Sequence, residues 1–378
     1  MRLLDLFLEN WRNFTRVEIV LQRRVFITGP NASGKSNLLD ALRFLQDIAS
    51  SGGGLQSAVS RRHGLSSIRC LAARRYPDVA VGITIGESDE PLWRYIIQIN
   101  QDNLRRPYVK REIVMHNGED ILDRPNDEDK DDPERLTQTH LEQVSANKSF
   151  REVAEFLSTI RYLHVVPQLI REPDRSVGRT SDPFGGDFLE QMARTQAKTL
   201  HSRLGRITDA LRVAVPQLRE LRLERDVKGT PHLSGLYKHW RPNAGWQSEG
   251  EFSDGTLRLL GLLWSVSSGG GPLLLEEPEL SLNPAVVRYI PQMFARVARR
   301  SGRQIFVSTH STDLLSDTGI EPEETVLLEP SAEGTQVSVA ADHDDIVALL
   351  RGGVPMAEAV FPHVSPQNAA ELAAFGEA

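Results

Sequence analysis

The sequence predicts an α/β fold in which a parallel sheet carries a phosphate-binding loop. Three observations lead there. Residues 29–36 read Gly-Pro-Asn-Ala-Ser-Gly-Lys-Ser, a complete G-x-x-x-x-G-K-[ST] pattern. Residues 273–279, Leu-Leu-Leu-Glu-Glu-Pro-Glu, form an apolar run ending in consecutive carboxylates. After Gly250, helical and buried-strand patterns alternate at 257–266, 272–275, 286–299, 305–307 and 325–328. Such alternation is the pattern of a sheet covered by helices.

Each part of the loop has a physical role. Gly29 and Gly34 allow successive N–H groups to turn toward one anion, Lys35 reaches the β- and γ-phosphates, and the Ser36 hydroxyl suits Mg²⁺. Val25, Phe26 and Ile27 precede it as a strand. Apolar residues at 38, 39, 42 and 45 follow at the spacing of a helix with one buried face. Strand, loop and helix N-terminus together make an anion site. The chain therefore binds a nucleoside triphosphate.

Around this element, residues 2–9 and 15–21 read as a hairpin. Alternation at 79–85, 93–99 and 108–115 predicts further antiparallel strands. Residues 123–133, acidic and almost free of apolar side chains, predict a mobile surface loop. Helical periodicity is expected over 135–160 and 186–215, and an alternating set over 218–223. The last residues, 343–378, read as a small helical appendage.

The later motifs specify chemistry. At the carboxyl end of a parallel strand beside a phosphate loop, Glu276 is placed to hold Mg²⁺ through water and Glu277 to polarise the attacking water. His310, ending the apolar run 305–307 and flanked by hydroxyls, is placed to hydrogen-bond the γ-phosphate. Ser253 and Gly255, within Phe-Ser-Asp-Gly-Thr at a predicted helix start, form a second anion-binding feature. One nucleotide needs one phosphate loop, so this second feature points to the nucleotide of another subunit.

These residues resemble a family. The stretches GPNASGKSN, FSDGTLRLL, LLLEEPELSLNP and STHS are similar to the Walker A, signature, Walker B with D-loop, and switch-histidine motifs of ABC-type ATPases. The branch is that of RecF, the SMC proteins and their standalone bacterial relatives labelled AAA-family ATPases. The resemblance implies a P-loop NTPase fold of ABC-ATPase head type, with an N-terminal antiparallel β subdomain and a helical insertion between Walker A and signature. The implied divisions are 1–134 and 246–341 for the two lobes of the head, 135–245 for the insertion, and 342–378 for the appendage. It further implies ATP and Mg²⁺ as ligands and a homodimer closing head-to-tail around two ATP. Nucleotide contacts would come from Gly29, Pro30, Asn31, Ala32, Ser33, Gly34, Lys35, Ser36 and Asn37. Ser253 and Gly255 of a second copy would complete them, and the 281–284 turn would cross the interface. Catalysis would rest on Glu277, His310 and Lys35, and the metal on Ser36 and Glu276. By the same resemblance Gln168 would sense the metal, and Arg12 and Asn13 would touch the nucleotide. Three departures stand out: Glu276 where Asp is usual, Asn283 where His is common, and Ser-Asp-Gly-Thr in place of Ser-Gly-Gly-Gln.

Composition narrows the rest. No apolar run reaches the roughly 18 residues of a membrane span, and the N-terminus lacks signal-peptide character. The single cysteine, Cys70, excludes internal disulfides and a cysteine-built zinc site. A cytoplasmic protein without membrane partners is expected. Net charge is −7, so DNA binding would need a local basic surface such as Arg61-Arg62-His63, Arg74-Arg75, Arg105-Arg106, Lys110-Arg111 or Arg299-Arg300. No heptad run separates the motif halves, which excludes a long coiled-coil arm. Only 68 residues follow His310, so any nuclease or toxin activity is expected on a separate protein. The FSDGT–EEPELSL combination differs from that of transporter subunits, and intact Glu277 and His310 argue against a non-hydrolysing scaffold. Two readings remain: a RecF-like clamp in DNA repair or maintenance, and an ATPase sensor subunit controlling an effector in a two-component, anti-phage type of system.

Overall fold

The computed structural model describes residues 1–72, 77–176, 182–240, 245–366 and 368–374. The chain begins with β1 (Arg2–Trp11), paired antiparallel to β2 (Phe14–Val20) with Leu8 opposite Val17. β3 (Arg24–Thr28) follows, buried throughout, and leads through the glycine loop into α1 (Lys35–Ala49). Two short helices, α2 (Leu55–Ser60) and α3 (Leu65–Ile68), precede a meander of β4 (Val79–Glu87), β5 (Glu90–Gln101), β6 (Pro107–His116) and β7 (Glu119–Arg124). These strands extend the hairpin into a six-stranded antiparallel sheet, in the order β2-β1-β4-β5-β6-β7.

The acidic stretch 123–133 departs from the expected mobile loop. It holds α4 (Asp127–Asp131), whose N-cap Asn126 accepts from the Asp129 amide while Asp129 accepts from the Asn126 amide. Arg124 is fully buried. Its guanidinium donates to both Asp129 oxygens at 2.7 and 2.9 Å and to Glu112 at 3.1 Å, and the carboxylates of both partners are buried too. Composition registers the charges of such a stretch but not that they neutralise one another inside the protein.

The insertion carries α5 (Arg151–Ser158), β8 (Arg161–Leu163), α6 (Pro167–Ile170), α7 (Phe188–Ala193) and α8 (Ala197–Ala214). Ahead of α5, where periodicity suggested a continuing helix, residues 133–137 and 147–150 form only 3₁₀ turns. The stretch expected as a helical insertion over 135–245 is not helical throughout: β9 (Leu218–Arg225) and β10 (Pro231–Tyr237) form a three-stranded antiparallel sheet with β11 (Trp246–Ser248), which lies past residue 245.

After it come α9 (Asp254–Ser267), β12 (Leu273–Glu276), α10 (Pro284–Val287) and α11 (Ile290–Ser301). The one helix expected over 286–299 is thus two, parted at Arg288 and Tyr289, with Pro291 in the first turn of the second. Pro cannot donate to the turn before it, so it belongs at a helix start. β13 (Ile305–Ser308), α12 (Thr312–Leu315), β14 (Thr325–Ser331), β15 (Gly334–Val339), α13 (Asp344–Arg351) and α14 (Met356–Val364) complete the chain.

The second large sheet runs β15-β14-β3-β13-β12-β8, and all but β15 are parallel. Its inner strands β3, β13 and β12 are buried on both faces, and alternate side chains enter different cores. Val25, Ile27, Leu274 and Phe306 pack with α1, α5 and the antiparallel sheet. Phe26, Leu273, Leu275, Ile305 and Val307 pack with α9, α11 and the insertion. Trp11 ties the antiparallel sheet to α1: its indole N–H donates to the Asn37 carbonyl at 2.8 Å and its ring meets Phe44 at 5.2 Å.

Removing one member of a buried ion pair strands the other charge, which costs roughly 3–5 kcal/mol. Arg124→Ala should therefore lower unfolding stability by about that amount in denaturant titration. A loss under about 1 kcal/mol would show that the network is dispensable.

Candidate functional site

Strand register assembles the site. Ile27 pairs with Ser308, and Ser308 with Glu276, so β3, β13 and β12 end in one row. The glycine loop, Thr309-His310 and Glu276-Glu277 therefore leave the sheet along the same edge. That edge, at the carboxyl ends of parallel strands, is where α/β proteins bind ligands.

The loop is built by close approach. A Cβ on Gly29 would lie 2.6 Å from the Leu328 carbonyl of β14, and Gly34 sits at φ +100°. Gly34 gives α1 no side-chain cap, which leaves the first amides of the helix for an anion. Ser33 is fully buried and its hydroxyl has no hydrogen-bond partner among the described residues. Lys35 folds back to donate to the Gly29 and Pro30 carbonyls at 3.0 Å each. Burial lowers its ammonium to about 8, opposed by Glu277 and Glu276. Uncapped amides, an orphaned hydroxyl and a half-desolvated cation fit a triphosphate. Ser36 and Glu276 fit Mg²⁺: the hydroxyl donates to the carboxylate directly, and both are hard oxygen donors. Asn31 and Ala32 are exposed at the loop's tip.

Glu277 occupies the left-handed region at φ 43°, with its amide donating to the Ser308 carbonyl at 3.0 Å. This kink follows β12 directly, and Glu277 Oε1 lies 3.4 Å from His310 Nε2. Burial and the Lys35 charge shift His310 toward its neutral form, while Glu277 opposes the shift. Lys35, Glu276, Glu277 and His310 are thus brought together.

Ser253 and Gly255 are not joined to this group. Ser253 caps α9, accepting from the Thr256 amide at 3.2 Å, and is exposed. A Cβ on Gly255 would lie 2.5 Å from the Ser281 carbonyl, so the glycine lets the signature segment pack on the 281–284 turn of its own chain. Ser281, Asn283 and Pro284 in that turn are exposed.

Three expectations are redirected. Gln168 lies exposed on α6 and hydrogen-bonds none of the loop or carboxylate residues. Tyr162 at the end of β8 reaches the metal position instead, its hydroxyl donating to Glu276. Asn13 packs against Gly34, donates to the Ser33 carbonyl at 2.7 Å and accepts from Asn37, so it braces the loop and Asn37 with it. Arg12 pairs with Asp40 at 3.3 Å and donates to the Ser67 carbonyl. Four arginines of the basic pairs are neutralised as well, while Arg105, Lys110, Arg299 and Arg300 form no ion pair among the described residues. Arg61 and Arg62 hold Asp47 and Asp40, Arg106 holds Asp102, and Arg111 holds Asp123. Arg74-Arg75 lies outside the described residues.

Sequence reasoning missed four positions. Besides Tyr162, Arg171 clamps the signature segment, donating to the Phe252 carbonyl and to Asp254, each at 2.6 Å. Arg258, on the helix after the signature, keeps Nε and Nη1 buried without partners in the field of Asp254, Glu277 and Glu279. Glu279 is 8 % exposed and accepts from the Thr309 hydroxyl, while its second oxygen has no partner. Burial raises it to about 7. None of the four carries a local signal, because each depends on long-range packing.

Fold and site define the class: this is an ABC-type, SMC-like AAA ATPase. Residues 24–317 match the family described as "AAA domain, putative AbiEii toxin, Type IV TA system", and the chain belongs to that family. Among solved structures it resembles an Smc head bound to the C-winged helix domain of ScpA. That likeness has 13% identity and TM-score 0.55, over 89% of this chain and 98% of the other. It also resembles an Smc head domain with an extended coiled coil bound to the C-terminal domain of ScpA, from Pyrococcus furiosus. There identity is 12% and TM-score 0.50, over 93% and 99% of the chains. At these identities the likeness is one of fold. No curated protein matches the chain. Among the described residues no helix is long and apolar enough to cross a membrane.

Glu279 gives the site a pH signature. A carboxyl near 7 when folded and 4.5 when unfolded contributes stability that is full below pH 4.5 and declines as pH rises to 7. The decline amounts to about 3 kcal/mol. Glu279→Gln should lack it, so in nucleotide-free protein the variant's stability relative to wild type should grow across that window. A constant difference in urea titrations from pH 4.5 to 8 would show that Glu279 ionises normally.

Proposed function

We propose that this protein hydrolyses ATP in a head-to-tail dimer, with the cycle opening and closing a RecF-like clamp that acts on DNA in repair or maintenance. The observation that carries the dimer is the division of the site. Lys35, Glu276, Glu277 and His310 converge, whereas Ser253, an exposed helix cap, among the described residues hydrogen-bonds only within its own turn. A second copy presenting Ser253 and Gly255 to the first copy's phosphate loop would complete both sites at once.

In this reading the loop amides and Lys35 hold the phosphates, and Ser36 and Glu276 hold Mg²⁺, with Tyr162 steering Glu276. When bound, Mg²⁺ neutralises charge on the phosphate oxygens. Glu277 orients the attacking water and accepts its proton, and His310 steadies Glu277. Lys35, leaving the Gly29 and Pro30 carbonyls, stabilises charge as it spreads over the transferred group.

A second reading is favoured by the family description, which names a toxin of a type IV toxin–antitoxin system. There the same ATP-gated dimer is the sensor subunit that controls a separate effector. The carboxylates that hold Arg61, Arg62, Arg106 and Arg111 add to it, because they leave fewer cations for phosphates.

Glu277→Gln should cut turnover roughly 10²-fold or more while trapping an ATP-bound dimer in size-exclusion chromatography. Ser253→Arg should abolish hydrolysis yet leave ATP binding to the monomer intact; loss of both would sink the shared-site reading. Duplex or single-stranded DNA should raise turnover or the dimer fraction if the clamp reading holds. No response to either DNA shifts the assignment to the sensor.

A further inference from the structure

Outside the nucleotide site, chemistry-bearing side chains gather where the C-terminal helices meet the parallel sheet. His343 precedes α13, Asp345 lies in its first turn, His363 is near the end of α14, and Glu329 is on β14. One potential ligand atom each from His343, Asp345 and His363 all lie within 4.8 Å of one another. The two imidazole rings approach edge-on at 4.8 Å between centroids.

We propose that His343, Asp345 and His363 form a binding site for a divalent first-row cation of the zinc class. The hydrogen bonds around the cluster carry the argument. Glu329 Oε1 lies 2.8 Å from His363 Nδ1, so a neutral ring that donates this hydrogen bond presents its Nε2 lone pair. Nε2 lies 3.1 Å from Asp345 Oδ2, a contact bridged by a proton when the ring is charged and open to a metal ion in that proton's place when the ring is neutral. In tetrahedral zinc sites metal–nitrogen bonds of about 2.0–2.1 Å put neighbouring ligands roughly 3.3 Å apart. The His363–Asp345 edge, at 3.1 Å, is close to this length, and closing a separation of up to 4.8 Å to His343 needs a side-chain adjustment of about 1.5 Å.

The surroundings are those that metal sites use. Histidine ligands commonly donate their second N–H to a carboxylate or other oxygen, which fixes ring and tautomer. Glu329 serves His363 in this way, and the Ser338 hydroxyl, 2.8 Å from His343 Nε2, orients the other ring. The backbone is held from beneath by the buried side chains of Ile346 and Val360. Two nitrogens and one oxygen favour zinc over magnesium or calcium, which prefer oxygen alone. A bound ion would staple α13 and α14 to β14, the strand beside β3 and its phosphate loop.

The test uses the full chain, stripped with chelator and free of nucleotide, so its outcome is separate from any ATPase result. Zn²⁺ titrated by calorimetry should bind at one ion per chain, and Co²⁺ should give the intense visible absorption of a tetrahedral site. His343→Ala with His363→Ala should abolish both signals, and Glu329→Gln should weaken Zn²⁺ binding about 10–100-fold. Circular dichroism confirms that each variant folds; if the double variant does not, Glu329→Gln and His343→Asn carry the comparison. Equal Zn²⁺ binding by wild type and the folded variants, or none by wild type, overturns the site. Glu329, His363 and Asp345 would then be a protonated ion-pair clamp.

Discussion

The site depends on one constraint, the parallel register that sets Ile27, Ser308 and Glu276 side by side. β13 separates the phosphate-loop strand from the carboxylate strand, and His310 emerges between them. Parallel strands must be covered on both faces, and here alternate residues enter two distinct cores. A one-residue slip would exchange those faces. The cores therefore hold the register, and the register holds the catalytic edge. Trp11 and Asn13 extend that control to the loop, one fixing the start of α1 and the other bracing Gly34.

Charge at the edge is balanced within the chain. Lys35 is turned onto loop carbonyls, Ser36 onto Glu276, and Glu277 toward His310. Each contact engages a group that the proposed chemistry would redirect toward a nucleotide. The signature segment obeys a different constraint. Gly255 permits direct packing on the 281–284 turn, while Arg171 holds Phe252 and Asp254 from the insertion. Signature, turn and insertion are thereby linked in one chain, so a change felt at the insertion has a physical route to the exposed serine.

The loop, the paired glutamates and the histidine were legible because their chemistry is local: glycines where the backbone must turn, carboxylates where a buried run stops. The alternation of helices and strands after Gly250 was legible for the same reason. That Tyr162 contacts Glu276 while Gln168 lies exposed was not legible, because which residue reaches Glu276 depends on β8 pairing with β12, a contact made across more than a hundred residues. The mobile loop expected over 123–133 failed on Arg124, whose partners Glu112 and Asp129 neutralise it in the interior.

By itself, then, the sequence determined that a glycine-rich phosphate-loop motif and a pair of strand-ending carboxylates share one α/β sheet. Spacing and residue type carry that information over a few positions. The tertiary structure alone decided that Tyr162 steers Glu276, that Asn13 braces the loop, and that Gly255 serves the 281–284 turn. It alone gathered His343, Asp345 and His363 beside Glu329. Each of these depends on where distant strands and helices pack, and packing is a property of the whole folded chain.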